Sequence, residues 1–253
     1  QPDLFYSGIN RTWGVLPEGG RADLNQFPDI IDTSQLNNKQ LDAVEEFADG
    51  QLIGLPRREQ ALGGYLINIT MLENLGLELP DRTWSWEDLA DLAQEVHQAS
   101  DGEVYGVIDE TGLAGYDSLG SRAWLMSHFG VPYIFNEGLG PNRDQLIEYY
   151  EWWGNLRESG AASPAEVTVS ADDNQNSPIA TGDVAMLPIS LGSYTRFQSN
   201  TTDELAFYPF PQGQYNNNEV GPGMLLSMSP HTDHPEMAAK FLNFMTNDVE
   251  AGM

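Results

Sequence analysis

The sequence contains no cysteine among its 253 residues. Disulfide bridges, thiolate metal centres and a cysteine nucleophile are therefore excluded. No apolar run approaches the roughly 18 residues that a membrane-spanning helix requires. The fingerprints G-x-x-x-x-G-K, G-x-G-x-x-G after a strand, and G-x-S-x-G are also missing. These absences weaken the case for a nucleotide-binding protein or an α/β-hydrolase.

Basic residues are scarce. Eleven Lys and Arg stand against 38 Asp and Glu, lysine occurs only at Lys39 and Lys240, and the net charge is −27. So strong a negative charge disfavours binding to nucleic acid or to an anionic membrane surface, because phosphates would be repelled. At molar ionic strength the Debye length shrinks to about 3 Å, and self-repulsion then weakens. The composition therefore favours a halophilic or salt-exposed source.

Predicted strands alternate with predicted helices along the chain, which indicates an α/β fold. Strands are expected over residues 3–6, 52–56, 104–108, 185–189, 206–211 and 225–228. Helices are expected over residues 35–48, 71–76, 122–129 and 143–159, with a further one starting near residue 234. On helix 143–159 one apolar face is predicted, comprising Leu146, Tyr149, Tyr150, Trp153 and Leu156.

One further helix is the most strongly patterned segment. Thr83 or Ser85 would cap it, and Asp88 stands three residues after Ser85, as a capping box requires. An apolar stripe at helical spacing follows at Leu89, Leu92, Ala93 and Val96.

The stretch over residues 179–197 combines a buried strand with a turn that carries Gly192 and Tyr194. A strand-to-helix turn of this kind places backbone N–H groups and an aromatic ring at the carboxyl end of a strand, where open α/β sheets bind ligands. An ordinary turn with Tyr194 packed into the fold explains the same pattern, and both interpretations stay open.

Other candidate chemistry is weaker. The His231–His234 segment contains two imidazoles and a carboxylate, but capping by Asp233 or His234 explains it better than a metal site. A glycosidase carboxylate pair would arise by chance among 38 acidic residues. Aromatic residues near strand ends could instead stack on the C–H faces of sugars. These residues are Tyr6, Trp13, Trp124 and Tyr194.

Several stretches, taken in order, resemble motifs of the extracellular solute-binding proteins of sugar ABC transporters (family 1, similar to maltose-binding protein). Residues 83–89 (TWSWEDL) resemble the family's P-x-T-W-[DE]-E-[FL], and residues 180–186 (ATGDVAM) its F-x-x-G-x-x-A-M. Residues 234–242 (HPEMAAKFL) resemble H-P-E-A-A-x-x-F-L. The other matching stretches are residues 52–56, 61–68 and 72–76.

The resemblance implies a two-lobe periplasmic-binding-protein-like fold of type II, with N- and C-terminal parts outside this chain. Lobe one would comprise residues 1–64 with 220–253, and lobe two residues 65–215. Hinge crossings are expected near residues 60–68 and 212–223, and ligand would close the cleft between the lobes.

The resemblance also implies a ligand-binding set and a function. Carried over residue by residue, the set is Tyr6, Asn10, Arg11, Arg58, Glu59, Gln60, Trp124, Gly192 and Tyr194. The implied protein is a monomeric, non-enzymatic subunit of an ABC importer that has no cofactor or metal and delivers a sugar to membrane subunits. It would lie outside the cell or in the periplasm, anchored through an N-terminal segment. The alternatives are a secreted carbohydrate-active enzyme and the same fold binding a non-sugar solute.

Overall fold

The computed structural model describes residues 2–8, 19–56, 63–112, 119–131, 134–135, 138–170, 176–215, 224–248 and 251. The strands are β1 (Leu4–Gly8), β2 (Leu55–Pro56), β3 (Gly63–Asn68), β4 (Tyr105–Val107), β5 (Ile134–Phe135), β6 (Gly138–Leu139), β7 (Val184–Ser190), β8 (Leu205–Pro209) and β9 (Met224–Met228). The α-helices are α1 (Asn38–Phe47), α2 (Ile69–Leu75), α3 (Trp86–Ala99), α4 (Leu119–Phe129), α5 (Arg143–Glu158), α6 (Ala165–Thr168), α7 (Pro178–Thr181), α8 (Tyr194–Gln198) and α9 (Pro235–Asn247). Short 3-10 helices cover Leu24–Gln26, Glu110–Gly112 and Leu191–Ser193.

The chain divides into two compact units. Unit 1 comprises Gln1–Ala61 with Val220–Met253, and unit 2 comprises Leu62–Glu219. Strands and helices alternate in both, so the predicted α/β class is confirmed. Among the helices that the structure describes, none is long and apolar enough to cross a membrane.

Unit 1 is built on a three-stranded sheet of order β1-β9-β2, in which both pairings are antiparallel. Its core joins Val44 of α1, Leu225 of β9 and Leu242 of α9. The predicted strand over residues 52–56 is shorter than expected, because only Leu55 and Pro56 pair with β9, although the residues before them are also buried.

Helix α9 carries apolar side chains on its outer face as well as its inner one. Met237, Phe241 and Phe244, at spacings of four and three residues, are 68%, 53% and 44% exposed. We call these three residues the outer stripe of α9. His234 is the N-cap residue, as its position predicts, but its side chain makes no capping hydrogen bond.

Unit 2 is built on a four-stranded sheet of order β4-β7-β3-β8. Strands β4 and β7 are parallel, whereas β3 runs antiparallel to both β7 and β8. Two glycines begin β3 because the neighbouring strands approach closely there. A Cβ at Gly64 would overlap the carbonyl oxygen of Tyr208, and one at Gly63 would overlap the ring of Phe210.

Helix α3 forms as its sequence predicts. The amide of Asp88 donates to Ser85 Oγ at 3.1 Å, and the amide of Ser85 donates to Asp88 Oδ2 at 2.7 Å, which completes a capping box. The predicted stripe, Leu89, Leu92, Ala93 and Val96, is buried. The structure therefore decides between the two predicted caps in favour of Ser85.

The apolar face predicted for α5 is partly wrong. Tyr149, Trp153 and Leu156 are buried, but Tyr150 is 51% exposed. Adjacent helical residues point about 100° apart, and Tyr150 lies outside the buried face that Tyr149, Trp153 and Leu156 form.

Candidate functional site

The edge of the unit 2 sheet where β4 and β7 end has the geometry of a ligand site. Because the two strands are parallel, their carboxyl ends lie at one edge, and β3 begins there, with Gly63 opposite Ser190. Strand β7 continues past Met186, the last residue opposite β4. Open α/β sheets bind ligands outside the carboxyl ends of their strands. We call residues 63–65, 108–111 and 190–194 the carboxyl edge.

The turn after β7 is a strand-to-helix turn, as the sequence predicts. The 3-10 helix Leu191–Ser193 leads directly into α8. Gly192 is exposed, and a Cβ added there would meet no atom within 4 Å. The turn therefore leaves open space beside its backbone.

Tyr194 begins α8 and is only half-buried. Its hydroxyl donates a 2.8 Å hydrogen bond to the backbone oxygen of Leu205 and lies 3.3 Å from Gln198 Oε1. Its ring packs partly against the cluster that contains Phe197. The hydroxyl is thus occupied within the protein, whereas part of the ring stays accessible. A ligand-stacking role for Tyr194 stays a prediction.

Trp124 lies in the core of unit 2. Its side chain is 1% exposed, and the imidazole of His128 stacks on its face. The rings of Tyr149 and Trp152 contact it from other sides. This burial favours core packing over the ligand contact predicted for Trp124.

The remaining predicted ligand residues divide into two groups. Tyr6 lies on β1 of unit 1 and is 48% exposed, and its role in ligand stacking stays a prediction. Five others fall outside the described residues, and their roles stay predictions. These are Asn10, Arg11, Arg58, Glu59 and Gln60.

Glu110, which follows β4 at the carboxyl edge, is not among the residues that the sequence predicts for the site. Its carboxyl group is 2% exposed and accepts a hydrogen bond from the Tyr65 hydroxyl at Oε1. Burial raises the pKa of the Glu110 carboxyl to about 8, although the hydrogen bond from Tyr65 and the amides of Ser121 and Gly120 oppose the rise. The sequence feature that could have identified Glu110 is the acidic pair Asp109-Glu110, which directly follows the predicted strand over residues 104–108.

Neighbouring polar groups extend this buried cluster. The Tyr149 hydroxyl shares a hydrogen bond with Ser121 Oγ. Burial, followed by the proximity of Glu110, raises the pKa of Tyr149. Asp109 Oδ2 pairs with Arg157 Nη1 at 2.9 Å, which fixes the backbone next to Glu110.

This edge combines a buried carboxyl group with an exposed turn. Glu110 is too deeply buried to reach a bound molecule directly. Over the part of the chain that the structure describes, no group of three or more His, Asp or Glu side chains could hold a metal ion. The accessible features are the turn at Gly192, the ring of Tyr194 and the peptide groups around them.

The chain matches the family model of bacterial extracellular solute-binding proteins over residues 1–251. It also resembles solved structures. A periplasmic solute-binding protein from Pectobacterium atrosepticum has a TM-score of 0.81 at 21% identity, covering 99% of this chain and 63% of that one. A periplasmic oligogalacturonide-binding protein from Yersinia enterocolitica, in complex with saturated digalacturonic acid, has a TM-score of 0.79 at 19% identity, with the same coverage.

A third similar structure is UgpB from Mycobacterium tuberculosis in complex with glycerophosphocholine. Its TM-score is 0.73 at 19% identity, covering 97% of this chain and 62% of that one. At such identities these likenesses establish the fold, which is the two-lobe fold of periplasmic solute-binding proteins. The chain spans less than two thirds of the length of each of these structures.

Proposed function

The chain belongs to the family of bacterial extracellular solute-binding proteins, and on that premise we propose that it is the substrate-binding subunit of an ABC importer for a sugar or oligosaccharide. Members of the family bind small molecules and work with ABC transporters. The observation that carries the proposal is the family match over nearly the whole chain. Delivery to the membrane subunits, a monomeric state and an N-terminal membrane anchor are parts of the same proposal.

Two features favour a sugar as the ligand. The Yersinia neighbour binds an oligogalacturonide, and Tyr6 and Tyr194 are partly exposed aromatic residues of the kind that stack on sugar faces. Within unit 2 the proposed contacts are the turn at Gly192 and the ring of Tyr194. An interlobe location for the ligand stays a prediction of the family resemblance.

A non-sugar solute is the second candidate, because the Mycobacterium neighbour binds glycerophosphocholine. A secreted carbohydrate-active enzyme is the third. A binder saturates stoichiometrically and is stabilised by its ligand, whereas an enzyme turns its glycoside over.

The test is a thermal-shift screen in molar KCl. The probes are a panel of neutral sugars, digalacturonic acid and glycerophosphocholine. We expect at least one sugar to raise the melting temperature in a saturable way, without product formation. Tyr194→Ala should weaken that shift and Tyr194→Phe should largely keep it, because the ring remains. Tyr150→Ala, which removes an exposed tyrosine from α5, is the matched control.

Three results would each contradict one part of the proposal. If only glycerophosphocholine stabilises the protein, the sugar assignment is wrong. Hydrolysis of a glycoside would identify an enzyme. An unchanged sugar response in Tyr194→Ala would remove Tyr194 from the site and leave the ligand class standing.

A further inference from the structure

Glu110 is a buried acid that the proposed ligand contacts do not use. It bridges three elements of unit 2. The hydroxyl of Tyr65, on β3, donates to its Oε1. Gly120 and Ser121, in the first turn of α4, lie beside the same carboxyl group, whose Oε2 has no hydrogen-bond partner among the described residues. A Cβ at Gly120 would overlap both carboxyl oxygens. The side chain therefore connects the start of β3 to the start of α4.

The backbone that carries Glu110 is firmly held on both sides. Asp109 Oδ1 accepts a 2.9 Å hydrogen bond from the amide of Thr111, and the amide of Asp109 donates to Ser163 Oγ at 3.0 Å. Arg157 Nη1 donates to Asp109 Oδ2 at 2.9 Å and to Thr111 Oγ1 at 3.0 Å. Because hydrogen bonds fix this backbone, a change in the protonation state of the Glu110 carboxyl group affects its contacts with β3 and α4.

The groups that face Glu110 give it little compensation for charge. Tyr65 faces it from β3 and Tyr149 from α5, and both are neutral phenols whose pKa is raised by burial. Asp109, on the same turn, is acidic, and its partner Arg157 is engaged with it. Among the described residues, no ion pair includes Glu110. An ionised Glu110 would thus be a buried charge that accepts a hydrogen bond from the Tyr65 hydroxyl at Oε1 and has no partner among the described residues at Oε2.

We propose that Glu110 is a positioning residue of the ligand site: its neutral carboxyl holds the start of β3 against the start of α4, and loss of its proton loosens the carboxyl edge. The link to ligand runs through the sheet, because Gly63 and Tyr65 of β3 pair with Ser190 and Pro188 of β7, immediately before the turn that carries Gly192. This role in binding rests on the proposed function, whereas the loosening does not.

The sign of the pH effect follows from linkage. In the closed state of the carboxyl edge, in which Glu110 is buried, the pKa of Glu110 is about 8. In the open, loosened state the side chain meets water and the pKa takes its ordinary value of 4.5. Between pH 4.5 and about pH 8, opening of the carboxyl edge therefore releases a proton from Glu110. The population of the open state consequently rises with pH over this range. Above about 8 both states are ionised, and the dependence levels off.

The test measures residue-resolved amide hydrogen exchange of the ligand-free protein between pH 6 and pH 9, corrected for intrinsic rates. The reporters are Leu66 on β3 and Ser121 on α4, and Ala93 on α3 is the reference. In the wild type, protection of the reporters should fall about tenfold per pH unit up to about pH 8 and then level off. In Glu110→Gln, which mimics the neutral acid, the profile should be flat.

The charge-matched control is Glu148→Gln, at an exposed position on α5, which should follow the wild type. An identical pH profile in the wild type and Glu110→Gln would overturn the proposal. A uniform loss of protection that includes Ala93 would also overturn it, because Glu110 would then affect only global unfolding.

A second measurement tests the link to binding by calorimetric titration with digalacturonic acid at pH 6 and pH 9. A bound ligand holds the edge closed around an ionised Glu110, so wild-type affinity should fall at least about threefold at pH 9 and Glu110→Gln should not change. Equal loss in both proteins would refute the coupling. If digalacturonic acid binds at neither pH, that failure counts against the sugar assignment, and the exchange data still decide the role of Glu110.

Discussion

The imidazole of His128 lies nearly parallel to the indole of Trp124, with ring centroids 3.8 Å apart and an interplanar angle of 16°. His128 Nδ1 also lies 2.8 Å from the backbone oxygen of Trp124, one turn earlier in α4. The pair thus covers a face of the tryptophan that could otherwise stack on a ligand, and it fills the core beside α5.

Trp124→Ala should therefore act on stability. We expect it to lower the free energy of unfolding by about 3–5 kcal/mol, because it opens a large cavity in the core. Urea denaturation of the wild type and the variant measures the effect. Tyr150→Ala, at an exposed aromatic position, should change stability by only about 0.5 kcal/mol. A Trp124→Ala variant with wild-type stability but lost ligand binding would restore Trp124 to the ligand site.

Two glycines in unit 2 should respond in opposite directions to substitution by alanine. Gly120→Ala places a methyl group against the carboxyl oxygens of Glu110 and should cost about 1–3 kcal/mol of unfolding free energy. Gly154, inside α5, has only Arg157 Nη2 near a Cβ, at 3.8 Å. Gly154→Ala should stabilise the protein by up to about 1 kcal/mol, since alanine favours helix. Thermal or urea melts of both variants would show whether the signs differ as expected.

The cap of α3 gives a third comparison. Ser85→Ala removes the acceptor for the Asp88 amide and should lower the free energy of unfolding by about 1 kcal/mol. Thr83→Ala, two residues earlier at an exposed position, should change it by less than about 0.5 kcal/mol. Equal losses in the two variants, measured by urea denaturation, would argue against the capping box.

Salt should stabilise the protein, because its net charge is −27. Screening at molar KCl relieves self-repulsion, and each kcal/mol of relief raises the melting temperature of a chain this size by roughly 2–4 °C. Melting curves from low to molar KCl, repeated in NaCl, measure the effect and separate screening from binding of one ion. A melting temperature that stays flat would rule out salt adaptation.

We expect the outer stripe of α9 to bind apolar molecules but to contribute little to the stability of the fold. The double variant Phe241→Ser, Phe244→Ser should reduce hydrophobic-dye binding, with a stability change of only about 0.5 kcal/mol per site. Leu242→Ala, between them on the buried face, should cost about 2–5 kcal/mol. A double variant as unstable as Leu242→Ala would mean that the stripe supports the fold.

Local signals predicted α3 and the turn after β7 correctly, since a capping box and a strand followed by a glycine-bearing turn are written in neighbouring residues. Burial was harder to predict. A tyrosine is common at both buried and exposed positions. Tyr150 differs from the buried Tyr149 only in its direction around the helix axis.

The side-chain contacts at the carboxyl edge could not be predicted from the sequence. The partner of Glu110 is Tyr65, 45 residues earlier in the chain, and no local pattern pairs them. Trp124 was predicted as a ligand contact for a related reason, because the stacked His128 and the rings from α5 that enclose it are seen only once α4 and α5 are packed.

Pro188 lies where β7 is paired with β3 on one side but no longer with β4 on the other. It is a buried residue of β7 that lies beyond Met186, where β4 has already ended. Most residues at this position would place a buried backbone N–H on the side of β7 that β4 no longer covers. A buried donor without an acceptor is costly. Proline brings none. With proline at this position, β7 runs past the end of β4 without leaving a buried backbone donor unpaired on that side.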